Sequence, residues 1–147
     1  MLRVEEGPAG EVVAWALGTE SHETVLWIER VRYAAGEPLA LDRSALKLGP
    51  AEIRLVAGSD LERGSLYGLL EERCGLRVSG GREWLRAVTC AQTERRLLRL
   101  GRGEGVFEVE RIAYAGDRSV EWRRSLVRGS ACVLTAAWGT LPDAPRR

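Results

Sequence analysis

Arg30 and Arg32 are the residues of this chain whose type and spacing point most directly to chemistry. They lie in Val25–Asp42, which reads VLWIERVRYAAGEPLALD. Val25 to Tyr33 is rich in β-branched and aromatic residues, the composition of a half-buried strand. Side chains alternate along a strand, so Leu26, Ile28, Arg30 and Arg32 share one face, apolar at one end and doubly cationic at the other. Two guanidinium groups this close repel each other unless an anion, a carboxylate or water lies between them. Each presents a planar fork that holds a carboxylate or phosphate through two parallel hydrogen bonds. Asp42, on the strand that returns from the turn, is a candidate counter-charge within the protein. Spacing alone leaves two readings open: an anion site, or ordinary arginines on a solvated sheet surface paired with carboxylates. Ser65, which opens an apolar helical stretch, is equally two-sided. It is a natural helix cap, and the free N–H groups and positive dipole end found there also suit an anionic ligand.

Other chemistries have little material. His22 is the only histidine and sits in a polar, turn-like stretch. The three cysteines, Cys74, Cys90 and Cys132, are scattered, form no CxxC pair, and read as reduced, mostly buried thiols. A zinc site or a His-dependent triad therefore has no basis here. Gly101-Arg102-Gly103-Glu104-Gly105 looks superficially like a phosphate loop, but it follows a helix and precedes a strand, the reverse of the required order, and reads as a turn. Net charge is +1, which gives no field for nucleic acid. Hydrophobic content of 45% and charged content of 29% over 147 residues are those of one soluble globular domain. Neither a membrane-spanning run nor a signal-peptide pattern is evident.

The arginines must be positioned by a hairpin. Ala35-Gly36-Glu37-Pro38 has turn chemistry, and Leu39 to Asp42 begins the return, which continues over Leu41–Leu48 until Gly49-Pro50 breaks it. An offset of 81 residues lays Val25 onto Val106 and finds the hairpin again in VFEVERIAYAGDRSVE, with Glu29/Glu110, Arg30/Arg111, Tyr33/Tyr114 and Ala34/Ala115 identical. Two such copies imply a pseudo-symmetric sheet. Ala113 stands where the first copy has Arg32, so the arginine pair belongs to the first hairpin.

Elsewhere, Met1–Gly10 reads as a tail or linker remnant, Glu11–Leu17 as a first strand, and Ala51–Val56 as either helix or strand. Gly58–Gly64 is a loop. Ser65–Cys74 is a helix with apolar residues at helical spacing and Gly75 as its stop. Leu76–Val88 holds two strands around a Ser79-Gly80-Gly81 turn, and Thr93–Leu100 is a second helix. Ala131–Trp138 reads as a final buried strand, and the tryptophans as core. Hairpins alternating with modest helices give an α+β class with a mainly antiparallel sheet.

Taken in order, Glu29-Arg30-Val31-Arg32, Gly36-Glu37-Pro38, Asp42, Ser65-Leu66-Tyr67, Glu110-Arg111-Ile112-Ala113-Tyr114, Val120-Glu121 and Arg128-Gly129 resemble the UTRA domain. This is the effector-binding half of GntR-type bacterial transcription regulators of the HutC group. The resemblance runs from Val12 to Ala137 and implies a domain over residues 11–139, flanked by tails at 1–10 and 140–147. It implies a chorismate-lyase-like fold, with a ligand pocket between a mainly antiparallel sheet and a few packed helices. It further implies that Arg30 and Arg32 grip the anionic part of a small metabolite effector with help from Ser65, while Asp42 and Glu121 hydrogen-bond the rest of it. Two positions depart from the pattern: Asp42 is usually glutamate, and Val127 stands where some sugar-binding members carry tyrosine. Composition makes a cytoplasmic protein without cofactor, metal or membrane contact the default expectation, and the resemblance implies a homodimer. DNA would be bound only through a winged-helix domain absent from this chain, which is then a fragment or a free-standing effector domain. Two other readings are a chorismate-lyase-like enzyme using Arg30, Arg32 and Glu121, and a domain that only dimerises around a degenerate pocket.

Overall fold

The central hairpin forms as its composition predicts, from β2 (Thr24–Ala34) and β3 (Glu37–Leu46) paired antiparallel. Its two turn residues, Ala35 and Gly36, both take positive φ values of 50 and 82. Paired left-handed residues give the reversal whose twist matches two adjacent strands. The computed structural model describes residues 1–62 and 64–136. Around the hairpin lie β1 (Arg3–Pro8), α1 (Gly10–Leu17), α2 (Pro50–Ala57), α3 (Leu66–Cys74), β4 (Gly80–Val88), α4 (Gln92–Leu97), β5 (Val106–Ala115) and β6 (Arg118–Arg128). The strands form one six-stranded sheet in the order β1-β2-β3-β6-β5-β4, antiparallel at every step. The expected α+β class is met.

The internal repeat is larger than the two hairpins. The unit β1-α1-β2-β3 recurs as β4-α4-β5-β6, and the 81-residue offset is kept in the pairing itself. Arg3 opposite Glu29 becomes Trp84 opposite Glu110, and Arg30 opposite Asp42 becomes Arg111 opposite Arg123. The β-bulge after Arg32 recurs after Ala113. The halves join along β3 and β6, with Asp42 opposite Ser125, Ser44 opposite Arg123, and Arg43 opposite Arg124 on the pseudo-two-fold axis. Pattern matching misses the leading strand and helix because few of their residues coincide; Leu17 and Leu98 do, and both are buried.

Several local expectations are corrected. Arg3–Pro8, expected as tail, is an edge strand. Glu11–Leu17, expected as a strand, is a helix: it buries Val13, Ala14, Ala16 and Leu17 and exposes Val12 and Trp15, a helical rather than alternating pattern. Gly18 stops it in the left-handed conformation at φ 56. Ala51–Val56 resolves as helix because Pro50 suits a first helical position and Glu52 accepts the Gly49 N–H at 2.6 Å. Leu76–Val88 carries one strand, not two. The Thr93–Leu100 helix is shorter, ending where Arg99 turns left-handed at φ 49. Ala131–Ala136 is not a buried strand; Val133 and Leu134 are exposed. Ala137, Trp138 and the expected tail from Leu141 lie outside the described residues. Trp15 is exposed rather than core, whereas Trp122 is buried. The cysteines are free but only half-buried.

Helices cover both sheet faces. On one, α1 packs with Val25, Ala45, Ile112 and Trp122, and at the related position Leu98, following α4, packs with Leu41, Val106 and Leu126. On the other, α2 and α3 cover Leu26, Ile28 and Leu46 with Ile53, Val56, Leu66 and Leu70. Each such fully buried aliphatic side chain contributes about 1.5–3 kcal/mol. The repeat places Leu85, Phe107, Val109 and Val127 where Val4, Leu26, Ile28 and Leu46 lie in the first half. Those four residues belong to none of the core clusters among the described residues.

The Gly101–Gly105 segment is the turn expected. It is tied to the end of β6 by Glu104, whose carboxylate accepts from Arg128 Nε at 3.0 Å, from the Gly101 N–H at 2.9 Å and from Ser130 Oγ. These bonds, the Arg128 one foremost, pull the Glu104 carboxyl from its ordinary 4.5 down to about 2. A carboxyl depressed by folding stabilises the folded state fully above its unfolded pKa, and that contribution is lost as pH falls through the folded value. Stability is therefore expected to fall between about pH 4.5 and 2, and Glu104→Gln to flatten that limb. Urea midpoints across that pH window check it; an unchanged limb in the variant would assign the acid sensitivity elsewhere.

Candidate functional site

On the face covered by α2 and α3, the sheet register sets out the polar residues in rows. One row runs Arg30, Asp42, Ser125 and Val109 across β2, β3, β6 and β5; the next runs Ile28, Ser44, Arg123 and Arg111. Apolar residues of β2 and β3 end under α3, and there the charged residues begin. The helix enters at this boundary, so its N-terminal end and the arginines enclose a cavity of about 740 Å³, of a size that suits a small metabolite. Arg30, Arg32, Arg111 and Arg123 all line it, together with Ser65 and Tyr67.

The cations are held unequally. Asp42 is 1% exposed, and its carboxylate accepts from Arg32 Nε at 2.5 Å, Arg32 Nη2 at 3.2 Å and Ser125 Oγ at 2.6 Å. Arg30 Nε lies 4.0 Å from the same carboxylate, and its Nη1 donates to the Leu61 carbonyl at 3.4 Å, tying the loop before α3 to the strand. Arg111 Nε donates to Glu83 at 2.6 Å and its Nη1 to the Tyr67 hydroxyl at 3.4 Å. Arg123 differs: its Nε is buried and has no hydrogen-bond partner among the described residues.

Glu121 is fully buried, accepting from Ser44 Oγ at 2.7 Å and from the Tyr67 hydroxyl at 2.5 Å. Burial, then the neighbouring Glu121 charge, pushes the Tyr67 pKa up, so the phenol stays protonated and donates. Ser65 caps α3, its Oγ accepting the Gly68 N–H at 3.3 Å. The preceding N–H groups of the first turn lack partners within the helix.

The geometry therefore sorts the five candidates. Arg30, Arg32 and Ser65 line the cavity; Asp42 and Glu121 lie beneath it, with their oxygens occupied by protein donors. Arg111, Arg123 and Tyr67 were missed as site residues. Arg111 had a sequence signal, because it is Arg30 carried forward by the repeat. Arg123 had only its place as the repeat counterpart of Asp42, and its position opposite Arg111 becomes visible once the strands are paired. His22 is exposed, and among the described residues no cluster of His, Cys, Asp and Glu is arranged to hold a metal ion. No helix among them is long and apolar enough to cross a membrane.

The same architecture occurs in solved structures. The chain is 28% identical to the ligand-binding domain of a protein described as a GntR-family transcriptional regulator from Bordetella bronchiseptica, with a TM-score of 0.80 over 94% of this chain and 87% of that one. It is 27% identical to the effector domain of PhnF from Mycobacterium smegmatis, with a TM-score of 0.81 over 95% and 85% of the two chains. Against the structure of PhnF from the same organism, identity is 26% and the TM-score 0.82, with 95% of this chain matching 61% of that one. The UTRA domain family model matches residues 1–132. With that match over most of its length, and its sheet and helices in the arrangement of GntR-family effector domains, the chain belongs to the UTRA domain family.

Proposed function

We propose that this domain is the effector-binding part of a GntR-type transcriptional regulator and that its ligand is a small anionic metabolite. The observation that carries the reading is the convergence of four arginines on one cavity at the N-terminal end of α3. Guanidinium forks and helix N–H groups both favour carboxylate or phosphate. Asp42 and Glu121 act as positioning groups: Asp42 aims Arg32, and Glu121 anchors Tyr67 and with it α3. With both buried carboxylates engaged by protein donors, and neither lining the cavity, the geometry favours binding over a lyase-like acid–base reaction.

Regulation would work by linkage: the ligand binds one arrangement of two domains better than another and shifts operator affinity in a DNA-binding part of a longer chain. The PhnF structure, of which this chain matches 61%, supports such a chain. Pairing of two domains is supported by the repeated stripe of Leu85, Phe107, Val109 and Val127, and light scattering on the isolated domain tests it.

The test of the pocket is a thermal-shift screen with inorganic phosphate, phosphosugars, amino acids and dicarboxylates. Wild type is run beside an Arg30→Ala, Arg32→Ala double variant. A ligand at a hundred times its Kd stabilises by about 2.7 kcal/mol through mass action. The expected result is a rise in melting temperature that the double variant loses. A rise that survives the substitutions would move the ligand away from this arginine pair.

A further inference from the structure

We propose that the cavity takes a bis-anion: a metabolite with two separated anionic groups, one on Arg30 and Arg32, the other on Arg111 and Arg123. The inference rests on the anion-pocket reading above and adds a second subsite to it. It comes from comparing the two halves of the repeat. In the first half, Arg30 stands directly opposite a carboxylate, Asp42. In the second half the equivalent pair is Arg111 opposite Arg123, two cations face to face. Like charges at directly opposed strand positions are destabilising. Among the described residues no carboxylate pairs with Arg123: across β3 its neighbour is Ser44, and the nearby Glu121 accepts from Ser44 and Tyr67. Arg111 shares its charge with Glu83, but Arg123 Nε is buried without any partner among the described residues.

A buried guanidinium N–H without an acceptor is costly, and both arginines line the same cavity as Arg30 and Arg32. An anionic group supplied by the ligand fills that role. β2 and β6 are two strand positions apart, so the subsites start about 10 Å apart at the backbone and are brought closer by the reach of the side chains. Asp42 lies between them and neutralises the first pair in part. A ligand with charge at each end engages both pairs at once.

Calorimetric titration of the full 147-residue chain with α,ω-alkane bisphosphonates, methylene to hexamethylene, tests this, with methylphosphonate as the single-anion control. The expected result is an optimum spacer whose affinity exceeds that of methylphosphonate by about tenfold or more. Arg123→Gln should weaken the optimum bisphosphonate far more than methylphosphonate and so erase that increment, while the Arg30→Ala, Arg32→Ala variant abolishes both. Because Arg123 faces a like charge, Arg123→Gln should also raise the melting temperature of the unliganded protein. Methylphosphonate binding with no length-dependent increment would overturn the second subsite and leave the anion-pocket reading standing. The second subsite is likewise overturned if Arg123→Gln weakens both ligand classes equally, or lowers the melting temperature. No binding of any phosphonate would overturn both.

Discussion

Replacing Asp42 by alanine is expected to lower the stability of the domain by about 3 kcal/mol, near the lower end of the cost of removing one partner from a buried ion pair. The carboxylate is 1% exposed and serves two arginines and a serine. The two cations lose unequally. Arg32 has 41% of its side chain exposed and can turn towards water, whereas Arg30 has 15% exposed and is held by the Leu61 carbonyl. The larger part of the cost is therefore the uncompensated charge on Arg30 and the orphaned hydroxyl of Ser125. Asp42→Asn keeps acceptor oxygen for Ser125 and should cost less. Urea denaturation is the measurement, read as a fall in midpoint with an unchanged slope. A variant within about 0.5 kcal/mol of wild type would place Asp42 among ordinary surface charges.

Leu70→Ala should cost a similar amount, about 3 kcal/mol, by a different mechanism. Leu70 is fully buried and belongs to the cluster that joins α3 to Leu26, Ile28 and Leu46 on the sheet. Truncation loses the transfer energy of the removed methyl groups and leaves a cavity that close packing fills only in part. Leu70→Met, which nearly conserves volume, should stay within about 1.5 kcal/mol. Val133→Ala, at a residue 83% exposed, should be nearly neutral. The consequence reaches the ligand site, because α3 carries Ser65 at its cap and Tyr67 in its first turn. Loosening the helix should weaken ligand binding along with stability. If Leu70→Ala unfolds at the same urea concentration as wild type, α3 is not anchored by this cluster.

The fold was legible where local chemistry and periodicity agree. The central hairpin, its turn, the Ser65-capped helix and the second hairpin all follow from β-branched runs, Gly at positive φ, and a cap residue ahead of helical spacing. It was illegible where two periods fit one short stretch. In EVVAWAL, alternation and helical spacing both have apolar residues to use, and which of them are buried depends on the sheet that the stretch packs against. Strand β1 escaped notice for a related reason: RVEEGP is polar, and it becomes a strand because β2 offers it an edge.

The site divides in the same way. By itself the sequence determined that two arginines share a strand face, that Asp42 returns near them, and that a helix capped by Ser65 is available. Alternation along a strand and capping are properties of neighbouring residues, so no tertiary information is needed. Only the tertiary structure decided that Asp42 and Glu121 lie beneath the cavity rather than in it, and that Arg111 and Arg123 complete its cationic wall. Those facts depend on which strands lie side by side and in what register. Register across β3 and β6 is set by the packing of two halves 81 residues apart, which no local pattern encodes.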